Sequence, residues 1–133
     1  MPAFLFALLV SPRHQSLRYR TALVLYAAIL IIGSVPGARA DIGHVASGLV
    51  LHSLAYGVLC LLIFSGSSGA PRWRAIKAVA TIALMGALDE CVQSLWPYRH
   101  ATVSDWLVDC SAALVVAALL WALWSRLSAI GAR

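Results

Sequence analysis

The stretch Val45-Ala46-Ser47-Gly48-Leu49-Val50-Leu51-His52-Ser53-Leu54-Ala55-Tyr56-Gly57-Val58-Leu59-Cys60-Leu61-Leu62-Ile63-Phe64 decides the fold class. It contains no Asp, Glu, Lys or Arg, and Ser65-Gly66-Ser67-Ser68-Gly69 follows it as a break. A bilayer core about 30 Å thick needs roughly 20 mostly apolar residues in a helix. The stretch therefore reads as a membrane span. Three more segments of the same kind flank it, at about residues 21–36, 75–96 and 104–124. Pro36-Gly37 closes the first of these and Pro97 the third, because proline cannot continue a helix. The loops are short, and no repeat, low-complexity segment or second domain interrupts residues 1–133. The expected fold is all-α: a single-domain, polytopic bundle of four transmembrane helices.

Composition agrees. Hydrophobic residues make up 62% of the chain and charged residues 11%, with a mean hydropathy of +0.87. Soluble domains are about half apolar and about a quarter charged, so a soluble enzyme and a disordered tail are excluded. The sequence pI near 9.6 does not signal nucleic acid, since the basic residues are scattered between apolar runs and form no basic face.

The ten basic residues set the expected orientation. Arg13, Arg18 and Arg20 precede the first span, Arg72, Arg74 and Lys77 lie between the second and third, and Arg126 and Arg133 follow the fourth. Only Arg39 and Arg99 fall on the other side. By the positive-inside rule both termini are cytoplasmic. Trp96, Tyr98 and Trp106 then mark the outer interface, and Tyr19, Trp73, Trp121 and Trp124 the inner one. The start of the chain also fits a leader cleaved after Ala38-Arg39-Ala40. The long internal basic region favours an uncleaved first span instead, with Ala3 to Val10 too short to cross and lying at the interface. Cys60, Cys91 and Cys110 carry no C-x-x-C spacing and read as packing residues, and no cofactor motif is present.

The five acids are Asp41, Asp89, Glu90, Asp105 and Asp109, and this topology puts all of them in the outer half. His52 joins them about two turns into the second span. Ionisable groups at membrane depth cost on the order of 2.5–3.5 kcal/mol each on insertion scales, so they face the bundle interior and find partners. Glu90 and Gln93 are expected to share one helix face, Asp105 and Asp109 another, and His52 and Tyr56 a third. Arg99, in the loop between the acidic helix ends, is expected to bridge Glu90 and the Asp105–Asp109 pair. Simpler roles compete. Asp105 fits a helix start capped by Thr102 or Ser104, Asp89 lies about 100° around the helix from Glu90 and suits helix packing, and Asp109 suits an interhelical hydrogen bond. His14, His44 and His100 read as solvated.

The order Asp89-Glu90-Cys91-Val92-Gln93-Ser94-Leu95-Trp96-Pro97-Tyr98-Arg99, followed by Asp105 and Asp109, resembles the VanZ-like family of small bacterial membrane proteins. The family pattern is Asp-Glu-x-x-Gln, an aromatic-x-Pro-x-Arg element, then Asp and Asn on the next helix; here the aromatic, Trp96, falls directly before Pro97. His52 to Tyr56 is similar to its His-x-x-x-Tyr segment, and Ser34-Val35-Pro36-Gly37 to its first-span exit. Asp109 stands where many members have Asn, Ala112 where a Gly is frequent, and Gly48 where an acid is usual. The resemblance implies a multi-pass protein of the bacterial inner membrane. It also implies an envelope role, the founding member being associated with resistance to the glycopeptide teicoplanin.

Two classes of function compete. A binding or accessory protein would hold a lipid headgroup, a lipid-linked cell-wall precursor or a glycopeptide through His52, Tyr56, Glu90, Gln93, Arg99, Asp105 and Asp109. An intramembrane enzyme of lipid or cell-wall metabolism would use Glu90 as acid or base with His52 beside it. A metal site lacks short ligand spacing, and acids confined to one leaflet give no route for ion transport.

Overall fold

The computed structural model describes residues 8–37 and 47–131. Asp41, Arg39, His44, Arg133, the Ala38-Arg39-Ala40 site and most of the apolar start lie outside them. Four long helices follow a 3-10 turn at Pro12–His14: α1 (Gln15–Gly33), α2 (Gly48–Gly66), α3 (Pro71–Ser94) and α4 (Val103–Gly131). Among the described residues there is no strand.

The ends of these helices are set by local chemistry. The Ser47 hydroxyl accepts from Val50 N–H at 3.4 Å and caps α2. Pro71 occupies the first turn of α3, where its missing N–H is not needed. The Thr102 hydroxyl accepts from Asp105 N–H at 3.2 Å at the start of α4, so Thr102 rather than Ser104 is the cap. Past α1, Gly37 takes a φ of +84°, which a side chain would resist.

Pro12–Gly33, Gly48–Gly66 and Val103–Ala129 are long and apolar enough to cross a membrane. Helix α3 has the length, but Lys77, Asp89 and Glu90 interrupt its apolar body, so composition alone marks three spans and not four.

Helix α2 is the central element, packed against α1, α3 and α4, and α3 packs closely against α4. Its Tyr56, Leu59, Cys60, Ile63 and Phe64 are almost fully buried. Around them lie Ala22 of α1, Ala78, Ile82 and Met85 of α3, and Ala113, Ala117 and Trp124 of α4. Apolar burial gives little drive to helix association in lipid, so small residues and interhelical hydrogen bonds do the work. The Tyr26 hydroxyl donates to Met85 O at 2.8 Å, Trp106 Nε1 to Ala83 O at 2.9 Å, and Cys60 Sγ to Ala113 O at 3.4 Å. Trp124 is not an interfacial ring, as its position suggested. It is 7% exposed, meets Phe64 edge-on at 5.2 Å, and lies under the Arg74 guanidinium.

One end of the bundle is closed by Arg18. Its guanidinium donates to Leu8 O at 2.6 Å, Ser11 O at 3.0 Å and Ser65 O at 2.6 Å, the last a carbonyl at the end of α2. Cationic groups suit a helix C-terminus. Helix α1 begins at Gln15, six residues before the expected start at 21, so Arg18 lies within its first turns.

At Gly66 a Cβ would stand 2.7 Å from Tyr19 N, 3.0 Å from Gln15 O and 3.1 Å from Tyr19 Cα, all backbone atoms that cannot give way. Gly66→Ala should therefore destabilise the purified protein by about 1–3 kcal/mol. Gly57→Ala, whose Cβ would meet only Val116 Cγ2 at 3.7 Å, should be nearly neutral. Thermal unfolding of both variants in one detergent checks this, and equal stability would contradict the packing described.

Candidate functional site

At the end of the bundle opposite Arg18, four polar contacts join the helices. His52 Nδ1 lies 2.9 Å from Asp109 Oδ1, linking α2 to α4. His52 Nε2 lies 4.0 Å from Asp105 Oδ2, one turn earlier on α4. The Tyr56 hydroxyl donates to Asp89 Oδ2 at 2.9 Å, linking α2 to α3. Thr102 N–H donates to Glu90 Oε2 at 2.6 Å, tying the start of α4 to α3. The His52 and Tyr56 rings stack, 10° from parallel with centroids 6.0 Å apart.

The pairing follows from helix register. In a capping box the acid three residues after the cap would reach back to the cap's own N–H. Here Glu90 occupies Thr102 N–H from outside, and Asp105 points instead towards His52. Asp109 is 0% exposed, and it reaches that depth because α3 presents Gly86. A Cβ at Gly86 would stand 2.9 Å from Asp109 Oδ2 and 3.1 Å from Trp106 Cδ1.

A cavity of about 240 Å³ opens beside this network, between α1, α2, α3 and the α3–α4 loop. Ile29, Ile32, Leu51 and Ala55 form an apolar wall, and His52, Tyr56, Asp89, Gln93 and Arg99 supply the polar groups. Ile32 at its rim is half exposed, so the cavity meets the outer surface of the bundle. Gly33 also lines the cavity, and the Arg99 guanidinium lies beside this residue at ordinary contact distance.

Residues 3–125 match the family profile described as VanZ/LLP1. The chain belongs to the VanZ/LLP1 family. No curated protein and no solved structure matches it. The match covers nearly the whole chain and includes every residue of the site.

The expected site residues of this VanZ/LLP1 protein divide into three groups. His52, Tyr56, Gln93 and Arg99 line the cavity, Asp105 and Asp109 stand behind His52, and Glu90 holds the loop and is not part of the lining. Two expectations are corrected. Glu90 and Gln93 do not share the cavity face; Asp89 and Gln93 do, being four residues apart on one side of α3. Arg99 does not bridge Glu90 and the Asp pair. Among the described residues no carboxylate lies within 4.0 Å of it, and its buried Nε has no partner. The loop geometry accounts for this: Arg99 N–H turns back to Trp96 O at 3.1 Å, and the guanidinium lies beside Gly33 at the end of α1 instead.

Asp89 is the residue the sequence reading left out, together with the wall from α1. Burial, and not the sequence pattern of α3, is what separates it from Glu90. The buried stripe Ala78, Ile82, Met85 and Gly86 continues by helical spacing to Asp89 and Gln93, and bypasses Glu90. Of the histidines, His100 is exposed and His14 half-buried. Among the described residues no three His, Cys, Asp or Glu side chains converge as a metal ligand set.

A double-mutant cycle tests the central contact. His52→Ala and Asp109→Ala should each destabilise the protein, with a coupling of about 1–2 kcal/mol in the double variant. Strict additivity in the unfolding free energies would show that the 2.9 Å contact does not hold α2 to α4.

Proposed function

We propose that this VanZ/LLP1 protein binds the headgroup of an amphiphile in the cavity beside His52, drawing it from the outer leaflet of the bacterial inner membrane. The observation that carries the reading is the make-up of the cavity. One wall is apolar, made by Ile29, Ile32, Leu51 and Ala55, and the opposite groups are Tyr56, Asp89, Gln93 and Arg99. A molecule with a chain and a polar head matches that division.

The placement in the membrane is part of the proposal. Helix α3 exposes Ile76, Leu84 and Leu88 just as α1 exposes Leu23 and Val24, α2 Leu54 and Val58, and α4 Leu114, Val115 and Leu119. The large apolar side chains point outwards while His52, Asp89, Gln93 and Asp109 are buried, the reverse of a soluble protein. All four helices then cross the bilayer, and the basic residues put both termini in the cytoplasm.

A phospholipid, a lipid-linked cell-wall precursor and a glycopeptide antibiotic all join polar to apolar parts. Ligand cavities for drug-sized molecules start at about 300 Å³, so about 240 Å³ suits a single headgroup and not a whole glycopeptide. A resistance role would therefore act through the lipid or precursor. An intramembrane enzyme working through Glu90 is the weaker reading, because Glu90 lies outside the cavity lining.

Two measurements check this. In native mass spectrometry from mild detergent the wild type should carry an amphiphile whose occupancy falls at least about fivefold in Arg99→Ala, a loss of about 1 kcal/mol. Equal occupancy would refute the cavity as its site. In intact cells, with the native cysteines replaced, His100→Cys should react with an impermeant maleimide and Ser68→Cys should not. The opposite pattern would invert the topology.

A further inference from the structure

We infer that the cavity selects a zwitterionic aminophosphate headgroup, its phosphate against Arg99 and its ammonium against Asp89. The inference rests on the amphiphile reading and specifies the head. Its basis is a pair of opposite charges that line one cavity without meeting. Asp89 is 4% exposed, and its side-chain bond is from Tyr56 to Oδ2. Among the described residues no Asp or Glu oxygen comes within 4.0 Å of Arg99, and Arg99 Nε is buried without a partner.

Opposite charges in an apolar setting ordinarily close into direct contact, since each removes the other's desolvation cost. Here the fold holds them apart. Tyr56 anchors the carboxylate from the α2 side. Arg99 sits on a short turn whose backbone is fixed by its bond to Trp96 O, and the Tyr98 hydroxyl next to it donates to Ser34 O at 2.6 Å, pinning the loop to the end of α1. The space between the two charges is the cavity.

A ligand that carries both charges completes both. Guanidinium presents paired N–H donors that match phosphate oxygens. The Asp89 carboxylate and Gln93 side chain offer acceptors for an ammonium group. A purely anionic head would satisfy Arg99 but place a second negative charge beside Asp89, with Asp105 and Asp109 behind His52. A purely cationic head would leave Arg99 without a counter-ion. The chain of the same molecule would lie along Ile29, Ile32, Leu51 and Ala55.

The test uses the full chain in detergent micelles. Binding of dihexanoyl phosphatidylethanolamine, dihexanoyl phosphatidylglycerol and free phosphoethanolamine is measured by native mass spectrometry. The wild type should bind the ethanolamine lipid at least about tenfold more tightly than the glycerol lipid. Asp89→Asn, which keeps an acceptor for Tyr56, should abolish that preference. Arg99→Gln, altered in the loop, should weaken both lipids at least about tenfold and gives an independent reading should Asp89→Asn misfold. Equal binding of the two lipids by the wild type, or a preference that survives in Asp89→Asn, overturns the inference and leaves amphiphile binding standing. Retention of neither lipid overturns both. Free phosphoethanolamine bound as tightly as its lipid supports the charge pair and overturns the role of the apolar wall.

Discussion

The contact between His52 on α2 and Asp109 on α4 is the one on which the polar end of the bundle depends. Both side chains are buried in a protein whose outer surface is apolar, where no solvent is at hand to satisfy them. Each therefore has to find the other, and the approach sets the distance between two helices. Gly86 on α3 makes the approach sterically open, and Trp106, bonded to Ala83 O, packs against the same glycine beside Asp109. Asp105 then falls beside His52 Nε2 because it lies one turn from Asp109. Thr102, the cap of α4, receives its acceptor from Glu90 across the helix pair. With His52 committed to α4, Tyr56 one turn along α2 is left to face α3, where it meets Asp89. The cavity is the space left between this network and α1.

Much of this was legible in the sequence. The apolar runs mark out the helices, and proline, glycine and serine mark their ends. The clustering of four acids within Asp89–Asp109 identifies the end of the bundle that holds the site, and its order of residues identifies the family. Neighbouring residues on a helix were harder to separate. Asp89 and Glu90 differ by about 100° of rotation, and motif resemblance treats them as one unit. Only the phase of the buried stripe through Ala78, Ile82 and Gly86 distinguishes them, and it assigns Asp89 to the cavity. That stripe is a fact of burial, and the sequence of the first helix gave no phase either. Its faces are apolar nearly all round, so nothing in its sequence marked Ile29, Ile32 and Gly33 as a wall. Arg99 misled for a different reason. Charge alone pairs it with the nearest acids, whereas a turn of a few residues directs its side chain away from them.

Position along the chain also hid the roles of Arg18 and Trp124. A basic residue before a span and a tryptophan near the end of one are ordinary interfacial features. Yet Arg18 is 4% exposed and Trp124 7% exposed. Both are interior because other parts of the chain supply what they need: the carbonyls of Leu8, Ser11 and Ser65 for one, and the edge of Phe64 with the Arg74 guanidinium for the other. Such partners come from 7 to 47 residues away in the case of Arg18, beyond the reach of local spacing.

The two ends of the bundle also differ in how completely their polar atoms are satisfied. At the Arg18 end the guanidinium spends three bonds on carbonyls, and only its Nε lacks a partner. At the other end Glu90 Oε1, Arg99 Nε and Asp109 Oδ2 are all buried without one among the described residues. Buried polar atoms in native proteins are nearly always paired, and exceptions call for a reason. Of the four acids only Asp89 lines the cavity with Arg99, while Glu90 ties the loop and Asp105 and Asp109 back His52. The unpaired Arg99 Nε belongs to a residue that lines the cavity, and the proposed headgroup binding would account for a cation left without a protein partner there.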